Sequence, residues 1–318
     1  MPDAQGKNEH GNQQTELYGG LLMGWLTEFP AMNAESLRAL KKAIDSGFRG
    51  FTRTYGEPIE SLFLPVKYIL IHTERFMIDT PWPIIILGIA AIAWVASRSP
   101  KIVAGTVIAL LLIGYFDMWE DTMKTVSMTS VCGALAIAMG IPIGIAMSRS
   151  DRFQSLLKPI LDVMQTLPSF VYLIPVVMLL GIGKVPGLLA IVVYSIPPII
   201  RLTDLGIRLV DKDVLEAADA YGSSNWQRLR SVQMPLALPT IMAGVNQTIM
   251  LALAMVVVAS MIGVGGLGQP VLKAIANQYF TLGMFNGLAI VCVAIIFDRV
   301  TQAYGRRLQK YQEVLHGN

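Results

Sequence analysis

Charge is scarce in this chain. Of its 318 residues 53% are hydrophobic and only 15% are Asp, Glu, Lys or Arg, whereas a soluble domain carries about 25%. That deficit excludes a water-facing surface on every element and points to lipid as the main solvent. Cysteine is nearly absent. Cys132 and Cys292 stand alone inside apolar stretches, which excludes a disulfide framework and fits small buried hydrophobes. The histidines His10, His72 and His316 are scattered and form no ligand set, so no metal site is expected. A phosphate loop is missing as well. The Gly-Lys pairs Gly6-Lys7 and Gly183-Lys184 lack both the upstream glycine and the following Ser or Thr. No ATPase activity, no cofactor and no nucleic-acid partner are therefore expected of this chain. Met1 to Gln14 is polar, so no secretory signal is expected either.

What is abundant is uncharged length. Runs without Asp, Glu, Lys or Arg cover 80–97, 102–116, 125–148, 163–183, 185–200, 231–272 and 274–297. A membrane-crossing helix needs about 20 mostly apolar residues. The second and fifth runs are short, but Arg98, Lys101, Lys184 and Arg201 flank them and can snorkel. The sixth is too long for one span. Gly263, Gly265, Gly266, Gly268 and Pro270 break it, so a helix near 238–262 should be followed by irregular chain. The expectation is an all-α, multi-pass bundle of about seven spans over residues 81–305. A tail of residues 1–80 precedes it and a short tail, 306–318, follows.

Basic residues orient the bundle. Arg98, Lys101, Arg149, Arg152, Lys158, the stretch Arg201 through Arg230, Arg299, Arg306, Arg307 and Lys310 fall on one side, which is then cytoplasmic. Lys124, Lys184 and Lys273 fall outside with the acidic cluster Asp117, Glu120 and Asp121. Seven spans put the C-terminus inside and the N-terminus outside. The tail's own basic residues do not forbid this, because long tails are translocated with little regard for charge. Reporter fusions after Arg149, Arg208 and Arg307 should read cytoplasmic. Fusions near Asp121, near Gln278 and in the N-terminal tail should read external, and a cytoplasmic tail would change the span count by one.

Within that tail, Leu37, Leu40, Ile44, Phe48 and Phe51 recur at helical spacing, with Arg38, Lys41, Lys42 and Arg49 off the stripe. This is the pattern of a helix lying on a membrane surface, or of a plain surface helix packed on the bundle. A second such segment is read at Leu62 to Ile71, too short to span and interrupted by Pro65 and Lys67. Gly140 and Gly144 give the small-x-x-x-small spacing of close helix packing.

Between the fifth and sixth runs lies a charged loop, 201–236, that reads as two short helices. Asp213 is a good N-cap with Glu216 placed to complete a capping box, and Gly222 is a natural stop. Ser224 with Gln227 repeats the capping arrangement, and Pro235 is expected to end the second helix. Glu216-Ala217-Ala218, three residues, Gly222, nine residues, Val232, one residue, then Met234-Pro235 resembles the signature loop of binding-protein-dependent ABC importer permeases. Met234 stands where leucine is usual, a swap that conserves volume. Met164-Gln165-Thr166-Leu167-Pro168-Ser169-Phe170-Val171-Tyr172 and Met242-Ala243-Gly244-Val245-Asn246-Gln247-Thr248 are similar to the permease subunit of glycine betaine/proline betaine uptake systems. The resemblance covers roughly residues 60–305.

It implies an inner-membrane permease subunit, coupled to a separate ATPase subunit that binds the ATP, fed by an external substrate-binding protein and paired with a second permease chain. By the same resemblance Glu216 anchors the loop in a cleft of the ATPase subunit, Ala217 and Ala218 allow close approach, Gly222 turns the chain, and Val232, Met234 and Pro235 complete the motif. The substrate path is less legible. Ionisable residues are absent from the spans except near their ends, which speaks against a proton- or sodium-coupled carrier. Gln165, Thr166, Asn246, Gln247 and Thr248 are the polar exceptions; they read either as path lining or as interhelical hydrogen-bond glue. Tyr172 and Tyr194 are candidates to face a quaternary ammonium, or are packing aromatics. The glycines 263, 265, 266 and 268 read as an outer gate or as a tight external turn. Choline, carnitine or an amino acid stays open as the cargo, and an ATP-independent channel or carrier as the other class.

Overall fold

The computed structural model describes residues 31–316, whose regular elements are all helices. The polar opening, with His10, lies outside the described residues. By contact the chain divides into one unit ending at Tyr55 and a second beginning at Gly56.

Helix α1 (Ala34–Asp79) runs through that division. In its first part Leu37, Leu40, Ile44 and Phe51 are exposed, and the rings of Phe51 and Tyr55 lie 4.9 Å apart. The break expected at Pro65 and Lys67 does not occur, because α1 continues through both Pro58 and Pro65. A proline gives up one helical hydrogen bond and bends the axis, but long flanking turns on both sides hold the helix together.

The second unit continues with α2 (Trp82–Ser97), α3 (Pro100–Tyr115), α4 (Trp119–Arg149), α5 (Asp151–Thr166), α6 (Ser169–Leu180) and α7 (Lys184–Arg208). Then come α8 (Lys212–Ala220), α9 (Asn225–Arg228), α10 (Met234–Ala259), α11 (Gly268–Asn277) and α12 (Phe280–His316). Among the described residues four helices are long and apolar enough to cross a membrane: α4, α7, Asn225–Ile262 and Phe280–Arg307. Counting each sharply bent pair as one span, α1 with α2 and α5 with α6, gives six, and α3 is a shorter apolar helix. The seven uncharged runs therefore each meet a helix, though 163–183 is not one straight span. It is broken by a 101° bend between α5 and α6. Pro168 sits at the N-cap of α6 and forces Leu167 into extended backbone (φ −68°, ψ 131°).

Helix α7 is the centre of the unit. The most apolar window of α7 is 72% buried, against 17% for Phe280–Arg307. Leu188, Ala190, Ile191 and Ile199 are fully buried. Glycines let its two neighbours close in. A β-carbon on Gly144 of α4 would stand 2.6 Å from Thr203 Cβ and 2.7 Å from the Ile200 carbonyl oxygen. One on Gly140 would stand 2.2 Å from Ile199 Cγ2. From the other side, Gly244 of α10 approaches Leu202 and Ile199. The small-x-x-x-small reading is a seam between α4 and α7.

The glycine-rich segment after α10 is irregular, as its composition requires. A 3-10 turn (Ser260–Ile262) leads into Gly263, Gly265 and Gly266, at φ 84°, 88° and 82°. Protein walls one side of it, while Met261 and Gly263 stay exposed. The Gly183 amide donates to the Ile262 carbonyl at 3.0 Å, and the Leu267 amide donates to Thr125 Oγ1 at 2.9 Å. Val264 and Leu267 are buried. Irregular backbone at membrane depth needs such partners, since lipid offers none. Gly268 opens α11 with no room for a side chain, its β-carbon position lying 2.5 Å from the Val257 carbonyl oxygen. Pro270 falls in the first turn of α11, where its missing N–H costs nothing.

Candidate functional site

The charged loop folds as two short helices, with different punctuation from the expected one. Asp211, not Asp213, caps α8: its side chain accepts the Asp213 amide at 3.0 Å. Asp213 and Glu216 then lie inside the helix, and Glu216 forms no capping box. Asp211 wins because it stands outside the first turn in extended backbone, where its carboxylate reaches the free amides; Asp213 still complements the helix dipole. Gly222 closes α8 with φ 77°. The Gly222 amide donates to the Asp219 carbonyl at 2.9 Å and the Ser223 amide to the Ala218 carbonyl at 3.1 Å, the paired bonds of a Schellman stop.

The capping box of α9 is present: Ser224 Oγ accepts the Gln227 amide at 3.3 Å and Gln227 Oε1 accepts the Ser224 amide at 2.8 Å. Pro235 does not end this helix. The chain passes through a π-helical turn (Leu229–Gln233) straight into α10, where Pro235 occupies the first turn. The wider turn moves the preceding carbonyls away from the ring, and a proline is tolerated at a helix start.

The two helices are tied together and to the bundle. Arg228 Nη1 donates to Asp219 Oδ2 at 2.7 Å and Oδ1 at 3.0 Å, joining α9 to α8. Arg149 Nη2 donates to the Asn225 carbonyl at 3.1 Å, joining α4 to α9. Large apolar side chains are exposed on the pair among its charges: Tyr221 is 94% exposed, Trp226 62% and Val214 42%. Glu216 and Ala217 are exposed and Ala218 half-buried. Val232, Met234 and Pro235 are half-buried where the loop re-enters the bundle.

The other candidate residues fall in separate places. Gln165 and Thr166 are exposed at the α5–α6 bend, with the Thr166 hydroxyl bonded to the Val163 carbonyl. Tyr172 is buried just beyond the bend. Its hydroxyl donates to the Met164 carbonyl, and its ring meets Tyr194 edge-on at 5.5 Å. Asn246 lies on α10 and bridges to α12. It donates to Asp298 Oδ1 at 3.0 Å and accepts from the Thr301 hydroxyl. Asn246 and Gln247 also line a cavity of about 500 Å3 with Met242, Met250, Thr301 and Gln302. Thr248 is fully buried.

Sequence reasoning missed a polar junction under the loop. Asp204, 5% exposed, accepts from Arg208 Nε at 2.9 Å and from Gln154 Nε2 at 2.8 Å. The spacing of Asp204 and Arg208, one turn apart at the end of an apolar run, was the available signal.

A bundle of long apolar helices that carries a capped helical pair on a charged loop is an integral-membrane component. Residues 136–310 match the family model of the binding-protein-dependent transport system inner membrane component. The chain belongs to that family and is an inner-membrane permease component of binding-protein-dependent transport. It is 42% identical over 313 residues to the glycine betaine/proline betaine transport system permease protein ProW of Escherichia coli (strain K12), covering 95% of this chain and 88% of the relative. With the glycine betaine/carnitine transport permease protein GbuB of Listeria monocytogenes serotype 1/2a (strain 10403S) it shares 47% identity, over 73% of this chain and 83% of the relative. A solved structure of the MetNI methionine ABC transporter in an inward-facing conformation has the same fold. The TM-score is 0.53 at 20% identity, over 58% of this chain and 93% of that one.

Proposed function

We propose that this chain is the permease subunit of an ATP-driven importer for glycine betaine/proline betaine-type osmoprotectants. Two copies form the path, an external binding protein delivers the cargo, and a separate ATPase subunit docks on the loop. The observation that carries the docking is the α8–α9 pair. Its capped, cross-tied backbone presents Glu216, Ala217, Tyr221 and Trp226 outward in a chain that has no phosphate loop of its own. The cargo class is carried by the names of the two relatives. The basic, apolar first part of α1 suits an anionic lipid surface.

Vesicles holding the permease with its ATPase subunit and binding protein should take up glycine betaine only when ATP is inside with the ATPase subunit, and proline betaine should compete. Equal uptake without the ATPase subunit would sink the reading in favour of a channel or carrier, and uptake of choline or carnitine alone would move the cargo.

Gly263, Gly265, Gly266 and Gly268 form part of the outer gate in this reading. The support is that this segment is irregular, walled by α4 and the start of α7, and pinned at both ends by hydrogen bonds. Single cysteines at 263–270, in a background lacking Cys132 and Cys292, should change their reactivity toward a membrane-impermeant thiol reagent when ATP and loaded binding protein are added. Reactivity indifferent to both would leave a plain turn.

A further inference from the structure

Helix α5 is fastened to α7 near both of its ends. At its start, Arg208 Nη1 donates to Asp151 Oδ1 at 2.7 Å, and Gln154 donates to Asp204 at 2.8 Å. Toward its other end, Arg201 pairs with Asp162. Arg201 and Arg208 are seven residues apart on α7, so two helical turns place them on one face. The Asp151 carboxylate is 87% exposed against 54% for Asp162, so the pair at Asp151 contributes the less of the two. The contacts that matter lie beneath it. Asp204 is buried, each of its carboxylate oxygens takes one donor, and Arg208 Nη2 also reaches the Met147 carbonyl at 3.0 Å. That carbonyl belongs to the last turn of α4, where it also accepts the Ser150 amide at 3.4 Å. One guanidinium thus ties the ends of α4 and α7 to the start of α5.

The position of this joint gives it a use. Arg208 is the last residue of α7, and α8 begins at Lys212. The far end of α5, a few residues past Asp162, is the bend that carries Gln165 and Thr166. We propose that α5 and α7 move as one lever: Asp204 with Arg208 clamps the two helices together near the loop, and Arg201 with Asp162 clamps them nearer the α5–α6 bend. A displacement of α8 then reaches the bend through a rigid helix. Asp204 acts as a positioning residue, holding Arg208 in the geometry that spans three helices. The inference rests on the reading of the loop as the ATPase docking site and adds the route by which its movement travels.

The test uses the assembled transporter in vesicles, with glycine betaine as probe, and reads both uptake and ATP hydrolysis. Asp162→Arg and Arg201→Asp, singly, should leave the ATPase subunit bound and stimulated by loaded binding protein. Uptake per ATP should fall about tenfold, a typical size for a coupling between sites. The double exchange, Arg on α5 and Asp on α7, should recover most of it, and Asp204→Asn should resemble the single variants. The Asp162–Arg201 pair is partly exposed, so its variants fold even if Asp204→Asn does not. An unchanged uptake-to-ATP ratio in the single variants, or an exchange no better than either, would overturn the lever. Loss of the ATPase subunit from the single variants would also overturn it, because a lever variant keeps its partner. The docking reading fails separately, by a Gly222→Val permease whose ATPase subunit still binds and still drives uptake.

Discussion

Gly144→Leu should abolish recoverable folded protein, whereas Gly133→Ala on the same helix should be tolerated. At position 144 a β-carbon alone would press on Thr203 Cβ at 2.6 Å and on the Ile200 carbonyl oxygen at 2.7 Å. Neither atom is the loose end of a side chain, so α4 and α7 must separate to make room. Forcing extra carbons into a packed core costs about 1–3 kcal/mol and more where backbone blocks the way. Native stability is only about 5–15 kcal/mol, and separating these helices would also open the seam at Gly140. At position 133 the nearest atom to a new β-carbon is Ile249 Cγ1 at 3.6 Å, an ordinary contact. There alanine gains up to about 1 kcal/mol of helix propensity. Yield and thermal melting of the detergent-purified protein separate the two outcomes. A Gly144→Leu protein that melts like the parent would show that the helices meet elsewhere.

Gly222→Val should do the reverse, sparing the fold and removing transport. No atom lies within 4 Å of a β-carbon at this position, so packing does not object. The backbone does, since φ is 77° and a β-branched residue there costs about 1–2 kcal/mol. The chain relieves that strain locally by giving up the two hydrogen bonds that close α8. The stop then unwinds, and the α8–α9 pair, proposed above as the docking site, loses its shape. Melting of the purified permease should stay within a few degrees of the parent while vesicle uptake falls by an order of magnitude or more, roughly the value of one coupling interaction. Gly222→Asn should retain most uptake, because asparagine enters the left-handed region at little cost. Equal loss in the asparagine and valine variants would mean that the glycine serves a contact and not a turn.

Much of this architecture was readable from the residues, and the failures have specific causes. Uncharged length located the helices because lipid penalises charge wherever it falls. It could not report direction, so 163–183 read as one span although Pro168 carries the signal for a bend. Ser224 and Gln227 were legible as a cap because both halves of the box lie within four residues. Asp213 reads as the cap because Glu216 stands three residues on, whereas Asp211 takes that place because α8 begins one residue earlier than Asp213, at Lys212. Pro235 and Pro65 were read as breaks by a rule that holds for single helices in water; a π turn in one case and helical length in the other absorb them. The charged loop was legible as two short helices. The junction of Asp204, Arg208 and Gln154 joins residues 50 apart in sequence, and only the packing of α5 on α7 brings them together.

The central position of α7 also has a meaning for how the chain is made. One of its walls, α4, precedes it, but the other, α10, ends about 50 residues later. At about 5–20 residues per second, the ribosome needs several seconds to supply that second wall. During that interval a helix destined to be wrapped by protein has lipid or the insertion machinery on one flank, with the narrow seat for Gly244 unfilled. A nascent chain arrested within α9 would hold the bundle in that half-built state.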